Sequence, residues 1–291
     1  MKTVAHCAPQ RPIRRSMERD LTEILEEWPF EPGKISVRVI EGKDGDPRIQ
    51  VRLDLGILQM HVAGRPDGRH PEGYDSLLDF QESQIDQMQM EEMAADQEPE
   101  SEPAIEGFTE EDEDDSPRIP RFISTEDCKA LREEAQQYYH RYIALLVLED
   151  YEAVVRDTSR NLRVLDLFRD YAIEEEDRHA MEGHRPYIMM MRARALASQA
   201  MKAEENKAAI FAIDEGLESL KAYYESLDRP ELFDESGEAQ MLRDMRDSLV
   251  PKLPVSQKAE LRQRLEAAIA SENFELAAIL RDEIKMLGGD A

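Results

Sequence analysis

The sequence predicts a mainly α protein: a small N-terminal α+β domain, a three-stranded sheet with a helix, comes before helical hairpins and a short two-helix hairpin at the C-terminus. Three observations predict it. Apolar residues alternate at period two only between Ile35 and Val62. They recur at helical spacing through most of residues 124–249, and a stretch without any basic residue separates the two regimes.

Composition narrows what such a chain can do. Its 291 residues allow two domains, or one domain with extensions. An apolar fraction of 41% beside a charged fraction of 35% means that part of the chain must be solvated rather than packed. Sixty-four acidic against 37 basic side chains give a formal charge of −27. Phosphate backbones reward clustered Lys and Arg through counterion release, so direct nucleic-acid binding is disfavoured. Cys7 and Cys128 stand alone, with no CxxC pair, which fits a reducing cytoplasm better than a disulfide frame or a zinc site. The basic residues 1–15 read as a disordered tail without the apolar run of a secretory signal, and Met17 is an alternative start. No stretch is long enough to span a membrane.

Residues 16–81 read as the small α+β domain. Met17, Leu21, Ile24, Leu25 and Trp28 form a helical stripe that Pro29, Pro32 and Gly33 end. Ile35, Val37 and Val39 then alternate with polar residues; after "EGKDGDP", Ile49, Val51, Leu53 and Leu55 do so again, which makes a hairpin. Gly56 breaks it, and Leu58, Met60 and Val62 supply a third strand before the turn-rich "GRPDGRHPEGY". The helix near Leu21 is expected to cover the sheet, joined by a second helix carrying Leu77, Leu78, Ile85 and Met88.

Residues 82–121 read as an acidic disordered linker. From Glu82 to Pro117 there are fifteen acidic residues and no Lys or Arg. Self-repulsion and sparse large apolar groups leave too little burial to offset ordering. The functional alternative is a nucleic-acid mimic that occupies a basic partner.

Residues 122–250 read as a helical domain. Ser124 and Asp127 open a helix in the manner of a capping box, and Leu131, Ala135, Tyr138, Tyr139, Tyr142, Leu145 and Leu146 follow on one face. "EDYEAVVRDTSRNL" (149–162) and "EENKAAIFAIDEGL" (204–217) share Glu, Ala and Leu at equal offsets, a weak internal repeat of 55 residues. Paired helices of this kind resemble tetratricopeptide repeats, with "AIEEEDRHAMEGHRP" (172–186) as an insertion. That resemblance implies a groove that binds a peptide or protein. Tyr138, Arg141, Tyr142, Arg156, Arg160 and Arg163 are its candidate lining; packing with rim ion pairs is one reading of them, and bidentate Arg contacts to an acidic peptide are the sharper one.

At the C-terminus, residues 255–289 form a hairpin. Ser256 caps a helix with Leu261, Leu265, Ala268 and Ile269; the turn "ASEN" leads to a second helix with Phe274, Glu275, Ala277, Ala278, Leu280, Arg281, Asp282, Ile284 and Leu287, which Gly288 and Gly289 end. The string "FE", "AA", "LRD", Ile, Leu at this spacing resembles the UVR motif, the helical hairpin shared by UvrB, UvrC and certain chaperone-system adaptors. Ala277 and Ala278 are expected to allow close helix approach, with Phe274 beside the turn and Arg281 and Asp282 in a polar network at the rim. A hairpin this small buries little surface alone, so the motif implies docking to a second UVR hairpin or to itself.

No phosphate loop of the form GxxxxGK[ST] is present; "GRPDGRH" (64–70) reads as a turn. His179 and His184 lie five apart among carboxylates in what reads as a solvated loop, with no third ligand placed by pattern, so no metal and no cofactor is expected. The chain is therefore expected to be a cytoplasmic, non-enzymatic adaptor that docks a protein through the UVR hairpin and a tetratricopeptide-like groove. Alternatives are an accessory factor of nucleotide excision repair binding UvrB or UvrC, a protein-quality-control adaptor, and an enzyme hidden in the N-terminal sheet. Adaptors of the quality-control kind often carry CxxC zinc pairs, which tilts the resemblance toward repair.

Overall fold

A computed structural model describes residues 21–95, 121–249, 257–270 and 276–281. They form two compact units that divide between Glu182 and Gly183.

In the first unit, β1 (Ser36–Glu41), β2 (Pro47–Leu53) and β3 (Gly56–His61) make an antiparallel sheet of order β1-β2-β3, as the alternation predicts. The β1–β2 turn closes through Gly42 N–H to the Asp46 carbonyl at 2.8 Å, with Gly45 at φ +86, a conformation that glycine adopts without a Cβ clash. Gly56 does not break the sheet but opens β3 opposite Leu53, leaving Leu55 exposed at the tip of the turn rather than in a strand.

The helix expected to cover the sheet does not do so. α1 (Thr22–Glu27) has six residues, too few to present a stripe, and none of them is buried. Its neighbour Trp28 instead meets the polar side of the sheet: Arg38 lies 4.1 Å over the indole and Arg52 donates to the Trp28 carbonyl at 2.6 Å. The main core of this unit lies among α2 (Leu77–Ala95), α3 (Thr125–Val147) and α4 (Tyr151–Tyr171), where Leu78, Ile85, Cys128, Leu131, Val164 and Phe168 pack together. α2 runs to Ala95, so a linker starting at residue 82 is corrected: Gln81 and Ile85 face the core and extend the helix into the acidic stretch. Met17, the tail and residues 96–120 lie outside the described residues.

Ser124 caps α3, its Oγ accepting from Asp127 N–H at 3.2 Å. A parallel bridge, Ile123 to Ala172, closes the far end of the α3–α4 hairpin. The stretch read as a loop with two histidines is instead α5 (Glu175–His179) and a 3₁₀ turn at Glu182–His184.

In the second unit α6 (Arg185–Lys202), α7 (Asn206–Ser226), α8 (Glu231–Glu235) and α9 (Gly237–Leu249) pack around Ile188, Met191, Ala195, Ile213, Leu220 and Leu242. α6 and α7 cross closely at Ala193 and Gly216, where a Cβ on Gly216 would lie 2.4 Å from that of Ala193. The 55-residue repeat is structural. Glu149 and Glu204 both sit at positive φ, and the amides of 148, 149 and 150 bond the carbonyls of 144, 146 and 145 as those of 203, 204 and 205 bond 199, 201 and 200. The same turn therefore joins α3 to α4 and α6 to α7. Helices of 23 and 21 residues exceed a 34-residue repeat, so the tetratricopeptide resemblance stops at paired antiparallel helices. A single domain over 122–250 is corrected too: α3 and α4 belong with the sheet, and the chain divides beside Gly183 and Pro186, a weak signal in sequence.

Candidate docking hairpin and the buried arginine network

α10 (Gln257–Ala270) and the helical residues 276–281 form the C-terminal hairpin. Leu261 and Ala268, with Leu265 at their side, pack against Ala277 and Leu280. Spacings of four and seven on the first helix and of three on the second put these residues on single faces. Ala277 is the small residue at the crossing; Ala278 is exposed, which corrects the reading that both alanines meet the first helix. Arg281 is exposed. Phe274, Glu275, Asp282, Ile284 and Leu287 lie outside the described residues.

Three further aliphatic side chains of the hairpin stay exposed. Ile269 is 53% exposed, Leu276 38% and Ile279 64%. A hairpin of this size has one core to bury, and these three aliphatic side chains are not part of it. The sequence reading placed Ile269 on the helix without giving it a role and passed over Leu276 and Ile279. Leu276 and Ile279 sit between the matched positions of "FELAAILRD", where their spacing of three was the available signal.

The candidate groove residues do come together, but inward. Arg141 is buried and donates from Nε and Nη2 to the two carboxylate oxygens of buried Asp157 at 2.7 and 2.8 Å, and from Nη1 to the carbonyls of His61 and Gly64 at 3.1 and 2.7 Å. The bidentate carboxylate expected from an acidic peptide is supplied by the chain itself. Arg160 pairs with buried Glu134, which also accepts from Leu77 N–H at 2.9 Å and faces Arg65 Nη1 at 3.1 Å. Burial pushes the Arg160 guanidinium below its usual range, and the carboxylate of Asp79 works against that shift. Tyr138 is buried beneath both cations, whose Cζ atoms lie 4.7 Å (Arg141) and 4.1 Å (Arg160) from its ring centre. Tyr142 is buried in the core.

Arg156 and Arg163 are half-exposed, yet Arg156 Nε lies 3.0 Å from Asp157 and Arg163 Nε 3.1 Å from Glu82. A peptide groove at these six residues is therefore corrected to an internal lock joining α2, α3, α4 and the loop after β3. Sequence reasoning missed Arg65, Glu134 and Asp157. A signal existed: Glu134 and Arg141 fall on the apolar face of Leu131, Ala135, Tyr138 and Tyr142, where a charge must be paired.

Of the two sequence-predicted sites, the one that keeps apolar side chains exposed is the C-terminal helical hairpin of a mainly α protein. Residues 256–289 match the family model of the UvrB/uvrC motif (UVR), a protein-interaction motif. Neither the curated proteins nor the solved structures give a match to the chain. No described helix is long and apolar enough to cross a membrane.

Proposed function

We propose that the protein is a non-enzymatic, cytoplasmic adaptor that recruits a protein partner through the outer face of its UVR hairpin. One observation supports this above the rest: Ile269, Leu276 and Ile279 stand exposed outside the hairpin's own core cluster. Scattered exposed apolar residues need no explanation, but three on one small motif whose family mediates protein contacts fit a docking strip. The tetratricopeptide-like groove is no longer part of the reading, because its lining is occupied internally.

Within this reading the partner is UvrB or UvrC in nucleotide excision repair; a role in protein quality control is the alternative. Capture from native lysate distinguishes them, comparing the intact chain with the double variant Ile269→Asp, Ile279→Asp and identifying the bound proteins by mass spectrometry. Recovery of UvrB or UvrC by the intact chain alone supports repair, and recovery of protease or chaperone subunits alone supports quality control. Identical captures by both forms would remove the hairpin face from the account.

A further inference from the structure

The rows of the sheet sort its two faces. Ser36, Arg52 and Ile57 lie side by side, as do Arg38, Gln50 and Gln59, and Ile40, Arg48 and His61, so these residues share one face. That face carries three arginines, a histidine and no carboxylate, in a chain with 64 acidic residues. Four arginines are buried among the described residues, and three of them meet a carboxylate: Arg48 that of Asp44, Arg141 that of Asp157 and Arg160 that of Glu134. Arg52 is the exception. Its Nε donates to the Trp28 carbonyl at 2.6 Å and its Nη1 to the carbonyls of Leu53 and Gly56, which are dipoles rather than charges.

Arg38, the diagonal neighbour of Arg52 on this face, also meets no carboxylate among the described residues. Diagonal side chains in an antiparallel pair start about 7–8 Å apart. Trp28 draws the two together: Arg38 Cζ lies 4.1 Å over the indole of the residue whose carbonyl Arg52 holds. Arg38 spends Nε on Gln50 at 2.8 Å, and a guanidinium stacked on a ring keeps its in-plane N–H groups for other partners. Nη1 and Nη2 of Arg38 and Nη2 of Arg52 thus have no partner among the described residues. A buried cation without a counter-charge is costly, and a chain that pairs its other three buried arginines carries two neighbouring charges here without one.

We propose that Arg38 and Arg52 bind a phosphate group beside Trp28. Two guanidinium charges call for a dianion, and a single carboxylate would balance only one of them. Guanidinium N–H groups donate to phosphate oxygens in charge-assisted, often bidentate pairs, and the free donors here come from two side chains set around one point. The charge of −27 limits the size of the ligand. A nucleic acid would bring many phosphates against the field of the whole chain, whereas one phosphate meets the two arginines at contact distance, well inside a Debye length of about 8 Å at physiological ionic strength. The ligand is therefore inorganic phosphate or a small phosphate monoester, not a duplex. The site lies in the first unit and does not depend on the reading of the hairpin.

Equilibrium dialysis of the full chain against labelled inorganic phosphate at fixed ionic strength tests it, with Arg38→Gln and Lys43→Gln beside the intact protein. Arg38 is not buried, so circular dichroism should be unchanged in its variant; Lys43 is an exposed cation on the neighbouring turn and serves as the control for general attraction. The intact chain should retain one phosphate. Loss of charge-assisted hydrogen bonds should weaken binding about tenfold or more in Arg38→Gln, while Lys43→Gln should stay within about twofold of the intact chain. Trp28 is the only tryptophan of the chain, so its emission reports from the site and should change along the same isotherm. Acetate at equal concentration should displace little of the phosphate. No retention by the intact chain would overturn the proposal, as it would if the chain's own carboxylates fill the site. So would equal weakening in Arg38→Gln and Lys43→Gln, displacement by acetate as effective as by unlabelled phosphate, or retained phosphate with Trp28 emission unchanged, which would put the anion elsewhere.

Discussion

Replacing Arg141 by Met removes a cation at the centre of the first unit while keeping much of its volume. The substitution deletes two hydrogen bonds to Asp157, at 2.7 and 2.8 Å, and two to the carbonyls of His61 and Gly64. Asp157 is left fully buried, with only the half-exposed Arg156 beside it. Stranding one member of a buried ion pair costs about 3–5 kcal/mol, and each orphaned carbonyl adds about 1 kcal/mol or more. Against a typical domain stability of about 5–15 kcal/mol, that loss is a large share. The double variant Arg141→Met, Asp157→Leu strands no charge and should be less destabilised than the two single losses combined, by about 2 kcal/mol or more. Denaturant unfolding should be followed by hydrogen exchange of peptides from β3 and α4, with α7 as an internal reference in the other unit. A loss below about 1 kcal/mol for Arg141→Met, or strict additivity in the double variant, would refute the idea that these pairs lock the loop to the helices.

Three further outcomes follow from the same packing. Gly216→Ala gains about 1 kcal/mol in helix propensity but forces a Cβ into that of Ala193, an overpacking cost of about 1–3 kcal/mol, so thermal unfolding should show a net loss; a stabilised variant would contradict the close crossing. Burial pushes the Cys128 thiol up to about 11, with the Asp177 carboxylate adding to the shift, so an alkylating reagent at pH 8 should label it only on unfolding; labelling at the rate of an exposed thiol would show the core to be open. The hydrogen bond from Arg132, at 2.7 Å, holds the Asp177 carboxyl below its usual range. A depressed folded-state value means that the stabilisation is present above about pH 4 and lost as pH falls through that value. The difference in melting temperature between the intact chain and Asp177→Asn should therefore narrow from pH 7 to pH 3, and a constant difference would exclude this ion pair as its source.

Much of this architecture was legible because it rests on short-range signals. Period-two alternation marked all three strands, Ser124 marked the start of α3, and equal offsets at 149 and 204 marked the second helix of two pairs, although not the shared turn before each or its positive φ, which glutamate seldom adopts. The errors arose where tertiary context decided. The stripe around Leu21 resembles a covering helix, but six residues cannot compete with α2 and α3 for the apolar core. Charge composition made residues 82–95 look unstructured, although Ile85 alone reaches the core and the helix continues past it. Of the two readings open for the arginines, the structure follows packing with ion pairs and carries it further inward than the rim, through the pairing of Glu134 with Arg160 and of Asp157 with Arg141. In the hairpin the matched pattern located the core, while the exposed strip lay at positions between.

The most direct test of the account is the affinity of the intact chain and of Ile279→Asp for purified UvrB and UvrC, measured by titration calorimetry. Ile279 is 64% exposed, and burying an aliphatic side chain of this size contributes about 1.5–3 kcal/mol, so the charged variant should bind about tenfold or more weakly with its helical content unchanged. Equal affinity of the two forms, or no binding by the intact chain to either protein, would contradict recruitment of a repair protein through the outer face of the hairpin.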